Sequence, residues 1–325
     1  MKNLRLSAAG ALLAALASFA HAGPLCTLVA DAATGRPIVR EGQCGERVTP
    51  ASTFKIALSL MGYDAGVLRD AHAPTLAFKP GDPDWGGEAW HAPTDPARWM
   101  QYSVVWYSQR ITHALGAERF RSYVRQFDYG NQDVAGDPGH DNGLDRAWIL
   151  SSLRISPEEQ VGFLRRLVNR QLPVSAHAFD MTARLTEVAR LPGGWVVHGK
   201  TGAGAPGTLS PDGTWDQAHA YGWFVGWVTN GTKTYVFAHL LQDARIEPRR
   251  PACGPAKRCS IGCRRCCRAM PAEAPKPAWR AHRPKKTRRR GAGRMGYEVC
   301  VITIQKRRAR IENNSKEVSR LEATL

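Results

Sequence analysis

The first 248 residues of this 325-residue chain lack net charge and contain very little cysteine. They hold 23 lysines and arginines against 23 aspartates and glutamates, so the whole formal charge of +17 belongs to residues 249–325. Such a distribution argues against a nucleic-acid-binding domain, and we expect no specific nucleic-acid partner. Only Cys26 and Cys44 of the eight cysteines lie before residue 248. This pair favours one disulfide in an exported domain, with two free buried thiols as the alternative.

Metal-ligand spacing and long apolar runs are also missing. Histidines are scattered through the first 248 residues without a metal-binding pattern, so we predict no metal. The longest apolar run, residues 8–19, is too short to span a bilayer. It follows Lys2 and Arg5 and precedes the small residues of Ala20-His21-Ala22, which is typical of a secretory signal peptide over residues 1–22. We therefore expect export to the periplasm, cleavage before Gly23, and no membrane partner.

Strand-like segments occur at both ends of the region that follows this signal. Two precede residue 41, at 25–30 and 37–40, and three follow residue 194, at 195–198, 221–229 and 234–241. Helical patterns lie between them, from residue 52, over 99–115, over 118–127 and from Ser156, where Pro157 and Glu159 form a helix-start signature. We predict an α/β (α+β) domain over residues 23–248. Its terminal strands form one antiparallel sheet flanked by helices, and an all-helical subdomain is inserted between them.

A serine and a lysine three residues apart stand at the predicted start of the first helix. Ser52 and Lys55 of the motif Ser-Thr-Phe-Lys lie one helical turn apart on the same face, so the lysine can take the proton of the hydroxyl. Apolar neighbours on both sides of the motif would desolvate the amine and lower its pKa. The motif alone is weak, because it also arises by chance as a helix cap and a solvated lysine.

Three further motifs follow in the chain. Ser103 begins Ser-Val-Val on the helix predicted over 99–115, where a hydroxyl could relay a proton or simply bond a backbone carbonyl. Tyr129 begins Tyr-Gly-Asn at a loop, which taken alone is an ordinary turn. Lys200 begins Lys-Thr-Gly in a strand, where the lysine would attract an anionic substrate and Gly202 would let the substrate approach the backbone. Their joint occurrence in this order is far more specific than any one of them.

The combined set resembles the class D serine β-lactamases, the oxacillinases. The similarity covers about residues 26–243 and includes Ser-Thr-Phe-Lys, Ser-Val-Val, Tyr-Gly-Asn, Trp148 and Lys-Thr-Gly. It implies a serine β-lactamase and penicillin-binding-protein-like fold. It also implies hydrolysis of β-lactam antibiotics through a covalent acyl-enzyme, and hence β-lactam resistance. β-Lactam small molecules are the partners that follow, and the oligomeric state is not indicated.

The resemblance assigns a role to each matching residue. Ser52 is the nucleophile, Lys55 the general base after its amine is carboxylated by carbon dioxide, and Ser103 the proton relay. Trp148 would hold the carbamate, although a tryptophan that only fills the core is the alternative. No other cofactor is implied. The oxyanion hole would come from the backbone N–H groups of Ser52 and Ala203. The expected substrate-binding residues are Lys200, Thr201, Gly202, Ala203, Val105, Tyr129 and Asn131.

The basic tail, residues 249–325, departs from the family pattern. Four of its cysteines, at 259, 263, 266 and 267, have the spacing of residues on one helix face, and a cysteine codon read one base earlier encodes leucine, valine or methionine. We interpret the tail as a frameshift product that is poorly packed or disordered and binds no zinc. Two other functions remain open. They are a penicillin-binding or β-lactam-sensing protein that does not turn over, and a nucleic-acid-binding module in the tail.

Overall fold

A computed structural model describes residues 23–207 and 219–242, and its centre is a six-stranded antiparallel sheet. The strand order is β2-β1-β6-β5-β4-β3. The strands are β1 (Gly23–Asp31), β2 (Pro37–Gly42), β3 (Glu187–Leu191), β4 (Trp195–Gly204), β5 (Tyr221–Thr229) and β6 (Thr234–Gln242). The first strand pairs with the last, so the two ends of the described chain meet in one sheet. This confirms the predicted architecture. The signal peptide and the basic tail lie outside the described residues.

Seven helices occupy the sequence between β2 and β3 in the described part of the chain. They are α1 (Lys55–Asp64), α2 (Pro96–Tyr102), α3 (Val105–Leu115), α4 (Ala117–Gln126), α5 (Gly143–Arg146), α6 (Pro157–Val168) and α7 (Ala176–Thr186). Every residue of α1 from Lys55 to Tyr63 is buried, so this helix runs through the core rather than over the surface. No helix of the described residues is long and apolar enough to cross a membrane.

Local sequence signals explain several element boundaries. The β1–β2 hairpin turns where Asp31 accepts hydrogen bonds from the backbone N–H and the hydroxyl of Thr34. Helix α6 begins with a complete capping box, in which Ser156 accepts from the N–H of Glu159 and the Glu159 carboxylate accepts from the N–H of Ser156. Both boundaries agree with the sequence prediction, because each depends on interactions within a few residues.

The disulfide between Cys26 and Cys44 is present. It ties β1 to the segment that follows β2, and both cysteines are buried. Closure of this short loop restricts the unfolded chain and so favours the folded state. The alternative of two free thiols is therefore set aside.

Two expectations about secondary structure were wrong or incomplete. The helix predicted over 99–115 is two helices, because Ser103 adopts φ +60° and ψ 36° and ends α2 before Val105 begins α3. The apolar pattern continues through the break, which is why the sequence suggested one helix. The edge strand β3 and helix α7 had not been predicted. Strand β3 is largely exposed, so it carries little of the alternation that marks a half-buried strand.

Candidate active site

The serine of the first motif lies in a tight helical turn at the entrance to α1. A short 3-10 helix spans Ala51–Phe54 and leads directly into α1. The backbone N–H of Lys55 contacts the carbonyl oxygens of Ser52 and Thr53, which joins the turn to the helix. Ser52 is half-buried, whereas its neighbours on both sides are buried. The turn therefore presents one hydroxyl to the outside from an otherwise closed segment.

Lys55 supplies a buried amine directly beside that hydroxyl. Its Nζ donates to Ser52 Oγ at 3.4 Å, and the side chain is 0% exposed. Burial lowers the pKa of Lys55 well below its ordinary value, and the charge of Lys200 lowers it further. A neutral amine at this distance can accept the proton of Ser52, whereas an ammonium group could not. The predicted pairing of nucleophile and base is thus present in the geometry.

Lys200 is a second buried lysine near this pair. It lies on β4, and burial lowers its pKa to about 8. Its Nζ donates to the carbonyl oxygen of Thr201 at 3.0 Å. Thr201 is half-buried and Ala203 is exposed, so the outer part of the Lys-Thr-Gly segment is open to a ligand. The strand thus offers a positive charge and accessible backbone beside the nucleophile.

Gly202 has a packing role that the sequence did not indicate. A Cβ at this position would lie 2.9 Å from the carbonyl oxygen of Pro50 and 3.1 Å from the backbone N of Thr53. Its missing side chain therefore admits the turn that carries Ser52. The glycine thus lets β4 and the nucleophile turn pack against each other. The expectation that Gly202 also lets substrate approach the backbone stays a prediction.

Among the buried hydrogen-bonding groups predicted for the site, the hydroxyl of Ser103 and the indole N–H of Trp148 have no partner in the described chain, whereas the Tyr129 hydroxyl faces Thr53 and Gln160. Trp148 is 1% exposed and stacks on Phe54, with ring centroids 5.6 Å apart. Buried polar groups are normally paired, so both donors are free to bind a further polar group. Val105, by contrast, is buried at the start of α3.

Tyr129 and Asn131 are both held in place by contacts within the protein. The ring of Tyr129 is 0% exposed and packs edge-on against Phe54 and Phe163. Burial raises the pKa of its hydroxyl. The Asn131 amide donates to the carbonyl of Ser152, and its oxygen accepts from the N–H of Arg154. The interpretation of Tyr129 as a cleft-wall residue is corrected, because its ring is buried in the core. That of Asn131, whose amide holds a loop, stays a prediction.

Two tryptophans of β5 pack against structural partners. Trp227 stacks on His198 with ring centroids 4.8 Å apart. The indole of Trp223 donates to the carbonyl of Thr49 at 3.1 Å, just before the nucleophile turn. No group of three or more potential metal ligands occurs among residues 23–207 and 219–242.

Comparisons with known proteins agree with this arrangement. Residues 25–254 match the family model described as penicillin binding protein transpeptidase domain. The chain is 43% identical over 215 residues to the β-lactamase OXA-9 of Klebsiella pneumoniae, covering 66% of this chain and 78% of that protein. It is 40% identical over 219 residues to the β-lactamase OXA-1 of Escherichia coli, covering 66% and 75%.

Solved structures give the same result. The crystal structure of the class D β-lactamase OXA-427 is 47% identical, with a TM-score of 0.63, and the match covers 68% of this chain and 90% of that one. The similarity to class D β-lactamases thus holds in sequence and in overall fold.

Proposed function

The chain belongs to the class D β-lactamases, and from this premise we propose that Ser52, Lys55 and Ser103 hydrolyse β-lactams through a covalent acyl-enzyme. The protein is a serine β-lactamase, a hydrolase that acts on the β-lactam ring. The observation that carries the proposed roles is the buried Lys55 amine 3.4 Å from Ser52 Oγ. Export to the periplasm is part of the same proposal, since it rests on the sequence pattern of residues 1–22.

Acylation begins with attack of Ser52 Oγ on the lactam carbonyl carbon. The Lys55 side chain takes the hydroxyl proton as the C–O bond forms. The lactam C–N bond then breaks, and Ser103 passes a proton to the departing nitrogen. The backbone N–H groups of Ser52 and Ala203 would stabilise the negative charge on the carbonyl oxygen. Deacylation repeats the chemistry with water, whose proton goes to the base at Lys55 while Ser52 leaves the acyl carbon.

Carbon dioxide fits the surroundings of Lys55. The amine is buried and uncharged, which is the only form that adds carbon dioxide, and Ser103 and Trp148 provide buried hydrogen-bond donors without partners. When bound, carbon dioxide supplies a carbamate, a carboxylate-like base that those donors would hold. Nuclear magnetic resonance after incubation with ¹³C-bicarbonate tests this directly. A carbamate signal in the native chain and none in the Lys55→Met variant supports the assignment.

Trp148→Phe tests whether the indole N–H serves this base. Phenylalanine keeps an aromatic ring against Phe54 and removes the N–H, so the folded structure is retained while a hydrogen bond to the base is lost. We expect kcat to fall by about 10- to 100-fold and added bicarbonate to restore part of it. The measurement is hydrolysis of a chromogenic cephalosporin with and without bicarbonate. Equal activity of the variant and the native protein in bicarbonate-free buffer would contradict the proposed role.

Lys200 gives the reaction a dependence on pH. Its ammonium form attracts the substrate carboxylate, and its pKa is lowered to about 8. The charge is present below that pH and is lost above it, so kcat/KM for an anionic penicillin should decline as pH rises through about 8. The Lys200→Arg variant keeps its charge at alkaline pH, and its profile should lack this decline. Identical alkaline limbs in both proteins would show that another group titrates.

A penicillin-binding protein that acylates without turnover is the second candidate. The matched family model describes a transpeptidase domain, which shares the acylation step. Exposing purified protein to a tenfold excess of chromogenic cephalosporin separates the two. A β-lactamase consumes all the substrate, whereas a trapped penicillin-binding protein consumes about one equivalent and stops.

A further inference from the structure

The turn that carries Ser52 contains a strained backbone. Ala51 has φ +49°, in the left-handed region that residues with a side chain rarely adopt. Such a conformation is retained only where the surrounding structure holds it, and it is often found where a reactive group must be aimed. The residues that hold Ala51 therefore help to aim the neighbouring serine.

A chain of hydrogen bonds closes this turn from one side. The backbone N–H and the hydroxyl of Thr53 both donate to the carbonyl oxygen of Pro50, at 3.1 Å and 2.7 Å. The side-chain amide of Gln160 in turn donates to the Thr53 hydroxyl oxygen at 3.0 Å. Because that oxygen accepts from Gln160, its own proton is directed to Pro50. All three groups lie in the interior, with Gln160 only 1% exposed and Thr53 1% exposed.

The helix that carries Gln160 is fixed independently of the turn. Gln160 follows the capping box of α6, and its backbone N–H donates to the carbonyl of Ser156 at 2.9 Å. The carboxylate of Glu159 also pairs with Arg47. Helix α6 is thus attached to the segment around Arg47 that leads into the turn. This attachment fixes the position of the Gln160 amide.

Strand β5 holds the residue before Pro50 from a second direction. The carbonyl of Thr49 accepts from the Tyr221 hydroxyl at 3.2 Å and from the Trp223 indole at 3.1 Å. Two successive carbonyls, those of Thr49 and Pro50, are therefore fixed by buried donors. Ala51 is the residue at which the backbone must then change direction to reach Ser52.

We propose that Gln160 is a positioning residue for the nucleophile. Its amide orients the Thr53 hydroxyl toward the carbonyl of Pro50, which keeps Ala51 in its left-handed conformation and Ser52 Oγ beside Lys55. This rests on the proposed function, in which Ser52 is the acylated residue. Gln160 has no contact with substrate in this scheme and acts through Thr53; the Tyr129 hydroxyl faces both side chains.

Three single variants and one double variant, Gln160→Met with Thr53→Val, test the proposal. The assay is the rate of acylation by a fluorescent penicillin. Gln160→Met and Thr53→Val remove the donor and the hydroxyl while nearly keeping side-chain volume. Each should slow acylation by about 10- to 100-fold, because small displacements of a reacting group cost this much. Thr53→Ser keeps the hydroxyl and should restore most of the rate. The double variant should be no slower than the slower single variant, since both act on the same chain of hydrogen bonds.

Two measured quantities separate an effect on the position of Ser52 from an effect on the stability of the fold. The rate constant per active molecule and the final number of labelled sites are recorded together. A purely structural role would lower the number of labelled sites and leave the rate constant unchanged. Thr182→Val is the matched control, because it removes the buried 2.8 Å hydrogen bond between Thr182 and Ser59 of α1, away from the turn. It should lower thermal stability without slowing acylation.

The outcomes are distinguishable from failure of the proposed function itself. If the native chain takes up no label, the assignment of Ser52 fails. If the native chain is labelled and both single variants react at its rate, or if Thr53→Ser is as slow as Thr53→Val, the role of Gln160 is overturned. If Gln160→Met is insoluble, the comparison of Thr53→Ser with Thr53→Val decides the question.

Discussion

Replacing Ser52 by alanine should all but abolish β-lactam hydrolysis, with kcat/KM falling by about 10⁴-fold or more. The hydroxyl supplies the attacking oxygen, and no other residue can form the ester. The effect on folding should be small, since Ser52 is half-buried and only its backbone takes part in the helical turn. Hydrolysis of a chromogenic cephalosporin measures the loss, and urea unfolding checks that the fold is intact.

Ser59→Ala provides the matched control on the same helix. Ser59 is a buried serine of α1 whose hydroxyl contacts Thr182, one turn beyond Lys55. Its loss should reduce stability and leave kcat/KM within a few-fold of the native value. Retention of activity in Ser52→Ala would show that the nucleophile has been assigned to the wrong residue.

Replacing Lys55 by methionine should abolish activity and at the same time stabilise the fold. The base is lost, so acylation should fall by about 10³-fold or more. The amine is 0% exposed, and burying it costs free energy that an apolar side chain of similar length does not cost. We expect the free energy of unfolding at pH 7 to rise by about 1–2 kcal/mol, a trade of activity against stability. Urea unfolding in buffer depleted of carbon dioxide measures it.

The direction of the pH effect follows from the pKa of Lys55. The pKa of Lys55 in the folded chain is well below the ordinary value of 10.5, which applies to the unfolded chain. At a pH between these two pKa values, the unfolded chain therefore binds a proton that the folded chain does not. Lys55 therefore destabilises the native protein at neutral pH, and the cost disappears as pH rises toward 10.5. The advantage of Lys55→Met should shrink between pH 7 and 10. Lys55→Arg, which buries a permanent charge, should be inactive and less stable; a more stable arginine variant would contradict this account.

The sheet and the helix starts could be predicted because their signals are local. The pairing of the first two strand segments and the capping box at Ser156 depend on nearby residues, and the structure agrees with both. The break at Ser103 could not be predicted in this way. Its left-handed backbone is imposed by the packing of α2 and α3, while the apolar pattern runs on without interruption.

The reacting residues of the site were predicted from the sequence, but the residues that pack against them and position them were not. The pairing of Ser52 with a buried Lys55 follows from their spacing and apolar neighbours. The role of Gly202 depends on a contact with Pro50, 152 positions earlier in the chain, which no local pattern reveals. Gln160 stands 107 positions from Thr53 and was missed for the same reason. A polar residue at a core-facing position of α6 was the available signal, since such residues are buried only with a partner.

Mass spectrometry of the native protein after brief incubation with a penicillin tests the central claim most directly. The account predicts a mass increase equal to one intact penicillin molecule, located by peptide mapping on Ser52, which disappears as the drug is consumed. A drug that is hydrolysed with no adduct on that peptide, or an adduct mapped to another residue, would contradict it.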